Sequence, residues 1–191
     1  MPRLFTGLEI PQDIAFELNL MQGGVWGARW VEAADYHITL RFIGDIEERL
    51  AREIRLALES VTAEPFTIRL KGVGAFGGSD PHSIYAGVAE STEIRRLQSM
   101  LERHCQMLGL APEGRKFIPH VSLARLRSPN LANVQDFLAR QNLYLSRPFE
   151  VSRFVLFSSR RSRGGGPYGV VDIYDLRGIG EDRVFHGSPA R

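Results

Sequence analysis

The chain has 191 residues, of which 43% are hydrophobic and 24% are charged, and its formal net charge is +2. This length can bury a substantial core, and it suits one domain or two small lobes that share a core. A net charge this small is not that of a protein that coats nucleic acid. The single cysteine, Cys105, excludes an internal disulfide framework, and no apolar run is long enough to span a bilayer. We therefore expect a cytoplasmic protein in which Cys105 is a buried structural thiol.

The hydrophobic pattern divides the chain into strands, which alternate with period two, and helices, which bury a stripe of residues. In chain order it predicts a strand at 3–10, a helix at 12–21, strands at 28–31 and 36–43, a helix at 46–60, strands at 66–70, 73–76 and 84–88, a helix at 92–108, a strand at 117–126, a helix at 130–140, and strands at 149–157 and 170–176. We predict an exposed loop at 158–166 and a loosely docked tail at 178–191, so that the domain spans 1–177.

Two copies of one short pattern, His-Ile-Thr-Leu and His-Val-Ser-Leu, lie in two of the predicted strands. Because side chains alternate along a strand, His37 and Thr39 share one face, and so do His120 and Ser122. Ordinary residue usage would produce two such matches among five histidines on the order of once in a thousand sequences. Two imidazoles and two hydroxyls can move protons and hold a phosphate, so the doubled pattern predicts a metal-free site for phosphate ester chemistry.

The order of the elements suggests that the two halves of the chain share a topology. Each half contains a strand, a helix and then strands that end in a histidine pattern. This order predicts an α+β fold of two lobes, with mainly antiparallel sheets that face each other across a central cleft and helices on the outside. The two histidine strands would be related by a pseudo-two-fold axis.

With these motifs the chain resembles the two-histidine phosphoesterases, and among them the RNA 2′,3′-cyclic phosphodiesterases, also called 2′-5′ RNA ligase-like proteins. The resemblance lies in segments that run from R-L-F-T-G-L-E-I-P through R-W-V and Y-H-I-T-L-R-F-I-G to F-I-P-H-V-S-L-A-R and F-S-S-R. It implies hydrolysis of RNA 2′,3′-cyclic phosphate ends to 2′-phosphomonoesters, without a metal or other cofactor. The implied partners are RNA ends or oligonucleotides that carry a cyclic phosphate, and we expect a monomer that does not bind membranes.

The resemblance also assigns roles to individual side chains. His37 would be the proton donor and His120 the proton acceptor, while the hydroxyls of Thr39 and Ser122 and the guanidinium of Arg125 would bind the phosphate. Many members of the family have threonine where this chain has Ser122, which keeps the hydroxyl but loses the stiffness of a β-branched side chain.

Two aromatic residues, Phe42 and Phe5, would stack on a nucleobase. Strict alternation nevertheless points Phe42 and Arg125 away from the histidines, because each follows its histidine by an odd offset of five residues. If the assignments are right, a bulge or a turn must redirect both side chains.

Other functions are compatible with parts of the pattern. A shared metal ion is disfavoured because each motif supplies a single ligand and contains neither carboxylate nor cysteine. A non-catalytic RNA- or nucleotide-binding module would not need two titratable groups. Cleavage of 2′-5′ oligonucleotides, hydrolysis of ADP-ribose cyclic phosphate and RNA joining would use the same four groups, so the motifs do not separate them. His82, His104 and His186 match no motif, and the arginine cluster at 160–163 could guide an RNA strand.

Overall fold

The computed structural model describes residues 2–159 and 168–178. Its strands are β1 Arg3–Glu9, β2 Ala28–Trp30, β3 His37–Asp45, β4 Phe66–Ile68, β5 Leu70–Phe76, β6 Ser83–Val88, β7 His120–Leu126, β8 Phe149–Val151, β9 Arg153–Ser159 and β10 Tyr168–Asp175. Its helices are α1 Gln12–Leu20, α2 Glu48–Leu58, α3 Thr92–Met107 and α4 Leu131–Gln141. In these described residues, no helix has both the length and the apolar character needed to cross a membrane.

Eight of the described strands form one sheet in the order β10-β9-β1-β3-β7-β6-β5, with β2 paired to β7 outside this path. Strands β4 and β8 form a separate two-stranded sheet. The pairings are antiparallel, which confirms the predicted α+β class. The two strands that carry the histidine motifs, β3 and β7, are direct neighbours at the centre. They pair only through Ile38 and Val121, so the two predicted lobes are halves of one continuous sheet that join at this contact. The histidine strands therefore lie side by side, whereas the sequence predicted that they face each other from separate sheets.

The core fills the side of the sheet that the helices cover. In α3 the residues Ile94, Leu97, Leu101 and Cys105 are all buried, and their spacing of three to four residues makes one apolar stripe. Cys105 is the buried thiol that the sequence predicted, and burial raises its pKa to about 11. The thiol therefore stays protonated and contributes by packing.

The main difference from the predicted elements lies at 149–157, which the sequence predicted as one strand. The structure breaks this run after Val151, so that β8 joins β4 while β9 joins β1 in the large sheet. The apolar pattern is continuous across the break, and a continuous pattern does not reveal that the chain changes partners. The second histidine strand also begins at His120 and not at 117, because Pro119 has no backbone N–H to donate to a neighbouring strand. Residues 160–167 and 179–191, which hold most of the predicted loop and tail, the arginine cluster and His186, lie outside the described residues.

Gly7 in β1 is a place where the fold leaves no room for a side chain. It pairs with Thr39, and a Cβ atom at this position would lie 2.7 Å from the backbone oxygen of Ile38. Gly7→Ala should therefore push β1 away from β3 and lower the free energy of unfolding by about 1–3 kcal/mol. Urea unfolding measures this change. Gly169→Ala in β10 is the matched control, because its Cβ would meet nothing closer than 4.0 Å, and an equal loss in both variants would contradict the argument.

Candidate active site

The pairing of Ile38 with Val121 aligns the two histidine motifs. Both side chains are 0% exposed and point into the core. Neighbours along a strand point the other way, and residues on either side of an aligned pair share the opposite face of the sheet. The four motif side chains that flank the pair therefore project together from the face away from the core, and each is at least partly exposed: His37, Thr39, His120 and Ser122.

Each motif strand contains a bulge at the leucine of its motif. The pairing of β3 with β1 passes from Thr39 to Arg41 and skips Leu40. The pairing of β7 with β6 passes from Ser122 to Ala124 and skips Leu123. Both bulges lie three residues after the histidine, so the two motifs share a local geometry as well as a sequence.

The bulges reset the alternation of side chains, as the odd offset of five residues required. Phe42 follows the first bulge, is 36% exposed, and lines a cavity together with Thr39 and His120. Arg125 follows the second bulge and is exposed. Burial raises the pKa of Tyr168, a residue of the other lobe, and the positive charge of Arg125 has a smaller effect that lowers this pKa.

Both imidazole rings are held by the same kind of hydrogen bond. His37 Nδ1 lies 2.8 Å from the backbone oxygen of Asp35, and His120 Nδ1 lies 2.6 Å from that of Ile118. A carbonyl oxygen only accepts, so each Nδ1 must carry the proton and donate it. This arrangement leaves Nε2 of each ring as the atom that can take up or release a proton.

Aromatic side chains surround His37. Its ring centroid lies 4.8 Å from that of Tyr168 and 4.9 Å from that of Phe5, and Phe157 lies slightly farther at 5.8 Å. Phe5, which the sequence assigned to base stacking, is only 4% exposed and also stacks on Phe157. Its ring orients His37 and offers little surface to a nucleobase.

His120 has a matching aromatic wall, which its own lobe provides. Phe76 and Tyr85 meet its ring edge to face at 4.9 Å and 5.4 Å, and they stack on each other at 4.2 Å. No motif in the sequence marks these two residues as part of the site, and none marks Phe157 or Tyr168. The signal that could have found Tyr85 is strand register, because it pairs with Ser122.

The aromatic walls affect the titration of both histidines. Burial lowers the pKa of His37 and of His120, and this effect outweighs the hydrogen bonds to Asp35 and Ile118, which raise the pKa. A smaller effect comes from the charge of His120, which also lowers the pKa of His37. The two rings are therefore close enough to interact electrostatically.

A cavity of about 620 Å³ opens beside His120, within the size range of small-molecule sites. Its mixed lining combines motif residues with aromatic and basic side chains: Thr39, Phe42, Phe76, His82, Arg115, Lys116, Phe117 and His120. His82, which matched no motif, is exposed as predicted and also lies at this cavity. Within the described ranges no three His, Cys, Asp or Glu side chains are grouped as metal ligands.

A buried ion pair between Arg41 and Glu102 holds one wall of the cavity. Arg41 Nη2 donates to the backbone oxygen of Ala111 at 2.6 Å, and Glu102 Oε1 accepts from the backbone N–H of Glu113 at 3.0 Å. The pair thus fastens the segment that leads to His120 onto β3 and α3. Arg115 in this segment pairs with Glu113, whose pKa falls to about 2 because of that arginine.

The fold and site define a two-lobed protein with paired His-x-Thr/Ser motifs on adjacent strands. A family model described as the 2′-5′ RNA ligase superfamily matches residues 14–163, and the chain belongs to this family. A curated RNA 2′,3′-cyclic phosphodiesterase of Aeropyrum pernix is 36% identical over 157 residues, which cover 81% of this chain and 88% of the relative. A protein of the same name from Aquifex aeolicus is 30% identical over 175 residues, covering 89% and 91%.

Solved structures share the fold. A Thermus thermophilus protein superposes with a TM-score of 0.76 at 25% identity, covering 92% of this chain and 98% of its own. Escherichia coli LigT, solved in complex with 3′-AMP, superposes with a TM-score of 0.74 at 21% identity, covering 92% and 99%. The likeness to LigT confirms the architecture.

The lowered pKa values of the two histidines predict how stability depends on pH. Below the ordinary histidine pKa of 6.5, the unfolded chain binds protons at these residues more readily than the folded protein. The free energy of unfolding should therefore fall as the pH drops through this range. His120→Asn removes one contribution, so urea unfolding at pH 7.5 and 5.5 should show a smaller decline than in the wild type. Thr39→Val, which removes no titratable group from the same face, should keep the wild-type decline, and equal declines in all three proteins would contradict the prediction.

Proposed function

We propose that the protein hydrolyses RNA 2′,3′-cyclic phosphate ends to 2′-phosphomonoesters, with His37 and His120 as the catalytic acid and base. The observation that carries this proposal is the matched pair of imidazoles on one face, each with Nδ1 bound to a carbonyl and Nε2 available. The names of the relatives from Aeropyrum and Aquifex support the same activity. We further propose that the catalytic domain spans residues 1–177 and that the protein is cytoplasmic. We propose that it acts as a monomer, since one chain supplies both histidines.

The two histidines divide the proton transfers between them. Nε2 of His120 accepts a proton from water as the water oxygen attacks phosphorus. The bond from phosphorus to the ribose 3′ oxygen breaks, and Nε2–H of His37 protonates that leaving oxygen, which gives a 2′-phosphate. The negative charge of the bound phosphate favours the protonated form of His37, whose pKa burial keeps low in the free protein. Each positioned acid or base contributes about 10²- to 10⁴-fold.

Three further groups bind the phosphate. The hydroxyls of Thr39 and Ser122 lie on the histidine face, and each donates to a non-bridging oxygen. The guanidinium of Arg125 offsets the charge that develops on these oxygens during attack. Because Arg125 comes from β7 and lies near Tyr168 of β10, it draws the phosphate between the two lobes.

Phe42 is the residue that we propose stacks on the nucleobase. One face of its ring is covered by the guanidinium of Arg3, whose central carbon lies 5.3 Å from the ring centroid. The ring also lines the cavity that contains His120 and Phe117. A base held there would sit within the same cavity as the reacting phosphate. Phe5, in contrast, acts through its contact with His37.

The replacement of either catalytic histidine tests the chemistry. His37→Asn and His120→Asn should each lower kcat on an oligonucleotide with a cyclic phosphate end by about 10²- to 10⁴-fold, because a proton carrier is lost. The measurement is product formation resolved by chromatography, in the presence of a chelator, with the 2′- and 3′-phosphate products separated. His104→Asn is the matched control, since His104 lies on α3 and bonds to Ser60 and the backbone of Met100. Wild-type turnover in either active-site variant would refute the assignment.

Phe42→Ala should raise KM with a smaller effect on kcat, because the base contact holds substrate and transition state alike. A stacked base contributes about 1–3 kcal/mol, so the rise should be roughly 5- to 150-fold. Steady-state kinetics on the same oligonucleotide measure it. Phe16→Ala on α1 removes an equally large ring that is 62% exposed and away from the cavity, and it should leave KM unchanged. A fall in kcat alone would assign Phe42 to a different role.

The substrate panel should also contain the other candidates that use these four groups. They are a 2′-5′-linked oligonucleotide, an ADP-ribose cyclic phosphate and a pair of RNA ends that could be joined. Binding of cyclic phosphate ends without turnover of any of them would favour the binding module.

A further inference from the structure

A second cavity of about 420 Å³ lies next to the active site, and the proposed chemistry does not use it. It is formed by β5, β6, the first residues of α3 and the segment before His120. The residues that the argument uses are Lys71, Tyr85, Gly87, Glu90, Arg95 and Lys116. We call it the β5–β6 cavity.

Strand register places this cavity on the same face of the sheet as the catalytic histidines. Gly87 pairs directly with His120, and Tyr85 pairs with Ser122. Directly paired residues in an antiparallel sheet share a face. Tyr85 also packs against the His120 ring at 5.4 Å, so the β5–β6 cavity begins where the active site ends.

The cavity is positively charged although the protein as a whole is nearly neutral. Lys71 and Lys116 are the only lysines in the chain, and both line it together with Arg95. Among the residues that the structure describes, none of these three cations forms an ion pair with a carboxylate. Glu90 is the acidic residue in the lining. Arg95 donates one hydrogen bond, from Nη1 to the backbone oxygen of Phe117 at 3.5 Å, and this neutral acceptor leaves its charge uncompensated. The three positive charges can therefore attract an anion.

Lys116 connects the two cavities. It lines the β5–β6 cavity on one side and the larger cavity with Phe42 and His120 on the other, and so do Phe117 and Ile118. A polyanion whose end reacts at His120 can therefore continue past Lys116 without leaving the positively charged surface. Lysine suits this role, because it binds successive phosphates as a point charge and requires no fixed geometry.

We propose that the β5–β6 cavity is a subsite for the phosphate backbone of the RNA strand attached to the reacting end, with Lys71, Arg95 and Lys116 as its cations. This inference rests on the proposed function and specifies its substrate class. An oligonucleotide that reaches the subsite is a better substrate than a nucleoside 2′,3′-cyclic phosphate, which does not.

The test compares a short and a long substrate in variants of the subsite. Lys71→Gln and Arg95→Gln are assayed on cytidine 2′,3′-cyclic phosphate and on a tetranucleotide that ends in the same group. We expect kcat/KM on the tetranucleotide to fall about five- to tenfold, through KM, since each variant removes one charge contact near a phosphate. Turnover of the mononucleotide should not change. The slope of log Kd against log salt for the tetranucleotide should shrink by about 0.7 for each lost contact.

Matched variants separate this role from general effects. Arg103→Gln on α3 removes the same charge from an exposed position outside both cavities, and it should behave as the wild type. Arg95→Lys should restore most of the tetranucleotide activity because it restores the charge. Equal losses on both substrates, or losses no larger than in Arg103→Gln, would overturn the proposal.

A binding measurement keeps the subsite testable if the proposed function fails. Fluorescence anisotropy of a labelled tetranucleotide with a 2′-phosphate end reports affinity without turnover. If the wild type hydrolyses neither substrate, the proposed function is wrong, and weaker binding by Lys71→Gln than by Arg103→Gln would still support the subsite. Equal affinities for the two variants would reject it.

Discussion

The antiparallel contact between β3 and β7 is the constraint on which the whole site depends. It consists of the pairing of Ile38 with Val121, and both side chains are fully buried. Burial of each contributes about 1.5–3 kcal/mol, so the sheet is held together where its backbone pairing is thinnest. Because the pairing covers so little of either strand, both strands can diverge and bulge at their leucines. The same contact therefore brings the histidines together and leaves open space in front of them.

Each lobe provides its histidine with equivalent support. A backbone oxygen two residues earlier holds Nδ1, and aromatic rings from other strands of the same lobe exclude water from the sides of the imidazole. The first restrains the tautomer, and the second lowers the pKa. Tyr168 makes this edge-to-face contact with His37, and Tyr85 makes the corresponding contact with His120. This correspondence agrees with the pseudo-two-fold order that the sequence suggested.

Charge is distributed by the fold in a way that composition does not reveal. Arg41 and Glu102 neutralise each other as a buried ion pair. This pair also anchors the segment that carries Lys116, which lies between the two cavities. Several surface arginines are likewise paired with carboxylates. The cations that line the β5–β6 cavity are not paired in this way among the described residues. A chain with a net charge of only +2 can thus present a local, positively charged surface that is able to bind an anion.

The sequence by itself determined the α+β class and nearly all of the described strands and helices, because alternation and helical spacing are local properties. Its doubled motif also indicated His37 and His120 as proton carriers, whereas their proposed roles as donor and acceptor come from the family resemblance. Only the tertiary structure decided that one predicted strand at 149–157 serves two sheets, and that Phe5 packs against His37 instead of facing the cavity. It also decided which aromatic rings enclose the histidines and where the lysines meet. These features depend on the register between strands far apart in the chain, and a hydrophobic pattern records which face a residue occupies without recording its neighbour.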